Sequence, residues 1–292
     1  MSTPSLLVPC LGILLLLLPA PADEPLPPLK PVKGIGTATI SGRVTFAGTR
    51  PDVEALTRGL REQFKKHKDK ACCLQGEGWE TQQQVWLINP KNQGFQNVVI
   101  FLKPESDEEQ FFDVTPLLSD PTKRPRKKVI DQPHCAFRPH ALVLFPYYVD
   151  PKARIRENWM KTGQIFEAKN NATIVHNVKW SGDRNVRANS KTLPPGDSIN
   201  ITDQVKPSYN KPVVIQCDIH PWMNAHAWVL EHPFAAVTDK DGKYHITNAP
   251  AGAKVRVVVW HEAKGFIGEG GKDGKVVTLK KGDNTEDFKI TK

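Results

Sequence analysis

The 292 residues contain neither a CxxC pair nor the CxxCH of covalent haem attachment, so thioredoxin chemistry and c-type haem are excluded. GxSxG, the phosphate-cradling P-loop and GxGxxG are missing too, which removes the common serine hydrolases, nucleotide hydrolases and dinucleotide enzymes. His261-Glu262 opens like a zinc-protease helix, but the second histidine does not follow. Long apolar runs are scarce. Residues 11–18, almost pure leucine, are too few to span a bilayer as a stable helix, and no other stretch comes near that length. Ala, Leu, Glu and Met do not dominate, which argues against a helical bundle or coiled coil. The formal net charge is +9, yet no nucleic-acid motif accompanies it, so no nucleic-acid partner is expected.

What is present describes a globular, strand-rich chain. Hydrophobic residues make up 39% and charged residues 24%, enough apolar matter to bury a core. Twenty-five prolines and 20 glycines favour short strands joined by turns. The leucine run is followed by Ala20-Pro21-Ala22 and then Asp23-Glu24, a small-residue cleavage pattern. Residues 1–22 therefore read as a signal peptide, although Lys and Arg are missing before the run. Cys10 precedes the run and is not placed as a lipoprotein cysteine. The expectation is an exported chain, periplasmic or secreted, with no membrane span after signal removal. Residues 23–34 read as a Pro-rich linker.

Residues 37–46 alternate as a strand, with Ile40, Val44 and Phe46 on one face. Val53, Leu56, Leu60 and Phe64 recur at helical spacing after Pro51, predicting one helix near 52–70 that ends in a basic run. Residues 84–88 and 97–102 read as strands, and 104–127 as an exposed connection. From Lys128 onward, short strands and turns alternate to the C-terminus. Lys240-Asp241-Gly242 is a hairpin signal. Asp239-x-Asp241-Gly242 starts like a calcium loop, but the twelfth position is Pro250 instead of Glu, so the turn reading prevails.

The segment richest in chemistry is Cys217-Asp218-Ile219-His220-Pro221-Trp222-Met223, which follows a strand of β-branched residues. His176 stands 41 residues upstream, also on a strand pattern. One thiolate, two imidazoles and a weak thioether are the ligand set of blue-copper sites. Thiolate and imidazole suit both Cu(I) and Cu(II), and a long axial methionine tunes the potential. Taken singly, a buried cysteine is a small hydrophobe and a histidine a satisfied core residue. Their order and strand-end placement point to copper.

Residues 128–231 resemble the cupredoxins. Phe137, Pro139 and Leu142 match their opening F-x-P-x-x-L, with Cys135 where a Met is usual. His176-Asn177-Val178, Pro195-Gly196-Asp197 and the C-x2-H-P-x-M loop match further family segments, the last most like amicyanin. The resemblance implies one type 1 copper ion held by His176, Cys217 and His220, with Met223 axial. It also implies that Asn177 ties the two ligand loops together and that Phe137 packs beneath the metal. Pro221 and Trp222 would flank the ligand loop, Trp222 offering an apolar docking surface. Residues 147–162 look inserted where the family makes a tight turn.

Residues 236–262 resemble the second half of a carboxypeptidase regulatory-like (transthyretin-like) sandwich, and 41–46 with 97–102 its first half. The expected fold class is all-β: a Greek-key cupredoxin sandwich at 125–231 inserted into a sandwich split between 35–104 and 232–292. In the rival arrangement the N-terminal strands complete the cupredoxin itself.

The expected function is that of an exported one-electron carrier, not an enzyme, since four ligands leave a single copper no open position. The alternative is a copper-binding or carbohydrate/protein-binding module without redox turnover. The partner would be a redox protein, acidic if the basic clusters at Lys65–Lys70 and Lys123–Lys128 meet it, or an envelope polymer. The adjacent pair Cys72-Cys73 is a poor bridge to itself. Cys135 is open to a bridge with either of them, or to a place as a thiol near the metal loop. His134, Cys135, His140 and His226 are candidates for part of a second metal site.

Overall fold

In Thr37–Phe46 the alternation does what the pattern demands: Ala38, Ile40, Val44 and Phe46 are buried. The computed structural model describes residues 29–34, 37–111, 114, 126–150, 152 and 158–291. The leader at 1–22, the first half of the linker and the first part of the basic cluster at 123–128 lie outside them. The chain is mostly strand, consistent with an all-β sandwich class. No helix among the described residues is long and apolar enough to cross a membrane.

Strand pairing divides into two sets. In the flanking set, Thr37–Phe46 pairs antiparallel with Lys243–Pro250 and parallel with Gly282–Thr285 and Phe288–Ile290. Val99–Pro104 lies between Ala235–Val237 and Lys254–His261, and the latter also pairs with Gly265–Ile267 and Lys275–Thr278. In the central set, a five-stranded sheet runs Asn189–Leu193, His176–Ser181, Val213–Gln216, Asn224–Val229, Ala141–Leu144. A three-stranded sheet runs Ser198–Asn200, Ile165–Lys169, Lys127–Asp131. The 37–46 strand is thus hydrogen-bonded to strands C-terminal of residue 242. Its antiparallel partner is 243–250, and 254–261 lies in the other flanking sheet.

Gly42 explains why this strand tolerates such close company. A Cβ there would come within 2.0 Å of the Glu286 carbonyl oxygen. Gly242 adopts φ +73° in the turn that the Asp239 carboxylate braces by accepting from the amides of Asp241 and Lys243. The strands on either side of that turn go to different sheets, so it is a corner and not a two-stranded hairpin.

Three apolar clusters follow. One fills the flanking set around Ile40, Phe46, Phe95, Ile100, Val257 and Ile290. A second fills the central set and includes Cys217, Met223, Phe137, Phe166 and Trp180. The third joins the two sets: Trp228, Ala141 and Leu230 meet Val99, Phe101, Val258 and Trp260. Trp228 packs on Phe101 at 4.8 Å and Trp260 at 5.7 Å between ring centroids. Fully burying side chains of this size contributes about 1.5–3 kcal/mol each.

Four sequence expectations need correction. The helix is Val53–Lys66, capped by Asp52 through the Ala55 amide, and a separate turn Lys70–Cys73 follows it. Leu56 is exposed, while Phe64 is buried. Residues 84–88 form no strand: Gln83 and Gln84 bond back to the main chain of Trp86, Trp79 and Gln82, which curls the segment into turns. Residues 104–127 are not simply an exposed connection, since Gln110, Phe111 and Val114 are buried and Glu109–Gln110 pairs with Lys30–Pro31.

Candidate metal centre

Cys217 ends the strand Val213–Gln216 and His176 opens the neighbouring strand His176–Ser181. Sheet pairing of Lys179 with Gln216 brings the two ends together. The loop from 217 to 223 then closes on itself: the Met223 amide donates to the His220 carbonyl and the Cys217 amide to the Met223 carbonyl. This turn returns the chain into Asn224–Val229, antiparallel to the strand it left.

The sulfur of Cys217 lies 3.8 Å from His176 Nδ1 and 3.8 Å from His220 Nδ1. All three residues are buried, at 2%, 0% and 0% exposure. An ion about 2.3 Å from sulfur and 2.0–2.1 Å from nitrogen, bound at a trigonal angle, requires a sulfur–nitrogen separation of about 3.7–3.8 Å. Both sulfur–nitrogen sides therefore already have the spacing of a His2Cys trigonal site, and the ligand nitrogens of the two histidines lie within 4.8 Å of each other. Met223, 2% exposed, is buried in the same cluster as Cys217 and Phe137.

Asn177 holds the two ligand segments in register. Its Oδ1 accepts from the Cys217 thiol at 3.2 Å and from the amides of Asp218 and Ile219 at 2.7 and 3.3 Å. Its Nδ2 donates to Ser190 Oγ and Asp218 Oδ2. Asn170, fully buried, steers the loop before His176 by donating to the Ile174 and Leu193 carbonyls.

Electrostatics suit neutral imidazoles and a protonated thiol in the metal-free protein. Burial, then the neighbouring His220, pushes His176 down to about 4. Burial, then His67, pushes His220 down to about 4. Burial pushes the Cys217 thiol up, against amide hydrogen bonds that favour the thiolate. Metal binding at this site must expel the thiol proton.

The other end of the site was not legible from the ligand motif. The segment after the helix lies over His220: the His67 ring is 4.6 Å from the His220 ring, and His220 Nε2 lies 3.2 Å from Asp69 Oδ2. Trp222 is half-buried against Phe64 and His67, with its indole N–H donating to the Cys135 carbonyl. It is no open apolar docking surface, because the helix covers it. Pro221 is exposed. Cys73 and Cys135 are disulfide-bonded across 62 residues, and both sulfurs lie within 4.8 Å of a His220 nitrogen. Of the two expectations for Cys135 the bridge is realised, with Cys73 as partner, and the free thiol is not, although the bridged sulfurs adjoin His220. Cys72 stays a buried free thiol.

Of the second-site candidates, Cys135 is consumed by that bridge, and His134 pairs with Glu80 at 3.1 Å. His140 and His226 do come together, beside Glu262.

A scan against protein-family models and a search of curated proteins return no match. Among solved structures, one titled "Novel Purple Cupredoxin from Nitrosopumilus maritimus" aligns with 35% of this chain and 97% of its own. Its identity is 16% and the TM-score 0.24. A likeness that slight adds no weight to the ligand geometry, which stands by itself.

Proposed function

We propose that the chain is a type 1 copper protein whose central strands, at 125–231, form a cupredoxin-like sandwich inserted between the halves of a flanking sandwich at 35–104 and 232–292. The single observation that carries this reading is the triangle of His176 Nδ1, Cys217 Sγ and His220 Nδ1, buried and spaced for one trigonal ion. Copper would supply one-electron chemistry there. The residues hold the ligands still: Asn177 fixes the sulfur, and Asp69 fixes the tautomer of His220 by accepting from Nε2. A rigid ligand set favours electron exchange because little has to move.

The proposed role is one-electron carriage in the periplasm or outside the cell, with a redox protein as partner and no substrate turned over. A second reading is favoured by one observation. His220 is fully buried beneath His67 and Asp69, so the ligand edge nearest the surface is covered. A covered ion is held more readily than it exchanges electrons, as in copper storage or binding without redox turnover. Loading the protein with Cu(II) and recording the visible spectrum tests the site: an intense thiolate-to-copper band is expected, and a colourless complex overturns it. The rate of oxidation by an external one-electron acceptor then separates the carrier from the holder.

A further inference from the structure

The strand Asn224–Val229 shows two faces. Ala225, Ala227 and Val229 join the central core, whereas His226 and Trp228 turn toward the flanking set. Parallel pairing sets His226 beside Ala141, and the His226 amide donates to the His140 carbonyl. The two histidines are therefore placed side by side by the sheet itself, with ring centroids 6.0 Å apart. Glu262 reaches them from the far side of the junction, immediately beyond the strand Lys254–His261. His140 Nε2 contacts Glu262 Oε1, and His226 Nδ1 lies 3.7 Å from Glu262 Oε2.

We propose that His140, His226 and Glu262 form a second metal site, for a divalent ion of the zinc class, bridging the two strand sets. Two ligand atoms bound about 2.1 Å from one ion at the tetrahedral angle stand about 3.4 Å apart. The Nδ1–Oε2 separation is a few tenths of an ångström wider than that, and too long for a hydrogen bond. His226 Nδ1 is buried and makes no hydrogen bond among the described residues, which leaves it open to a ligand. Burial also keeps that imidazole neutral, with its pKa pushed down to about 4. The side chains of His226 and Glu262 retain 13% and 12% exposure, so the cluster lies near the surface of the junction.

The donor set chooses the ion. Two imidazoles and one carboxylate suit Zn(II), Co(II) or Cu(II). They are too few oxygens for calcium or magnesium and contain no sulfur for Cu(I). His261, adjacent in the chain, is not part of the set: its ring lies tilted against Phe95, with centroids 4.1 Å apart, beside the flanking core. A site of this kind would be chemically independent of the Cys217 cluster.

The test uses the full chain carrying Cys217→Ser, so that the sulfur site is disabled, titrated with Co(II) and Zn(II) after chelation. Uptake of one equivalent, with sulfur-free Co(II) visible bands and a raised melting temperature, is expected. His226→Ala and the isosteric Glu262→Gln should each weaken binding by more than the about 10- to 100-fold that losing an outer hydrogen-bond partner costs. If His226→Ala fails to fold by circular dichroism, Glu262→Gln decides. No uptake, or uptake that survives Glu262→Gln, overturns the proposal and leaves a His140–Glu262 contact that only clamps the junction.

Discussion

Two histidine clusters lie on opposite faces of the same central sheet, and they differ in every respect that governs how an ion is held. The Cys217 cluster draws its ligands from the central strand set, is fully buried, and contains sulfur. The Glu262 cluster draws on both strand sets, is less deeply buried, and offers nitrogen and oxygen alone. The first is built to retain a soft ion in fixed geometry. The second depends on a junction between two cores, so its affinity reports how firmly they are docked. What decides the character of each is the strand that supplies it. Val213–Gln216 ends inside the central core, whereas Lys254–His261 ends against strands of the other set.

The largest break in this contrast should come from Cys217→Ser. A hydroxyl is a poor replacement for a soft thiolate, so the intense visible copper band should vanish while uptake at the Glu262 cluster continues. A band that persists would mean the sulfur is not a ligand. Next in size is the pair Cys73→Ala with Cys135→Ala. Closing a loop of 62 residues contributes about 4 kcal/mol through the unfolded chain. Denaturant melts should show a loss of that order, together with a looser cover over His220 and an unchanged Glu262 cluster.

Acid should strike both clusters together. His176, His220, His226 and His261 are each held near 4 by burial, below their ordinary 6.5. Between those values the unfolded chain binds more protons than the folded one, so stability falls as pH drops from about 6.5 toward 4. Urea midpoints of metal-free protein at pH 7, 5.5 and 4.5 should decline steeply. A flat profile would show that these rings are not buried neutral.

Smaller effects sharpen the picture of the Cys217 site. Copper binding at neutral pH should release about one proton, the thiol's, measurable by calorimetry in buffers of different ionisation enthalpy. Release of none would mean the cysteine is already a thiolate. Met223→Leu should do least: the colour stays and the reduction potential rises, because a long axial thioether is a weak bond. Loss of copper binding in that variant would make Met223 a principal ligand.

The parts of this molecule that were legible in the sequence are those written locally. Cys217, His220 and Met223 share one turn, and His176 announces itself at the head of an apolar strand. Thr37–Phe46 was readable because alternation and one-sided burial coincide. Asn189–Leu193 was not, since four of its five residues are exposed and no apolar period marks an edge strand. Residues 84–88 misled for the opposite reason: Val85 to Ile88 form an apolar run of strand-forming residues, yet Gln83 and Gln84 bond back locally and hold turns. Asp69 over His220 and Glu262 beside His226 are encounters across 35 or more residues of intervening chain. They are set by how sheets pack, and no spacing rule encodes them.

The Cys73–Cys135 bond ties the redox state of the chain to how firmly a bound ion is kept. Both its sulfurs adjoin His220, and the segment it anchors carries His67 and Asp69 across the ligand loop. Reducing it should loosen that cover while leaving the ligands in place, so an ion should exchange faster from the reduced protein than from the oxidised one.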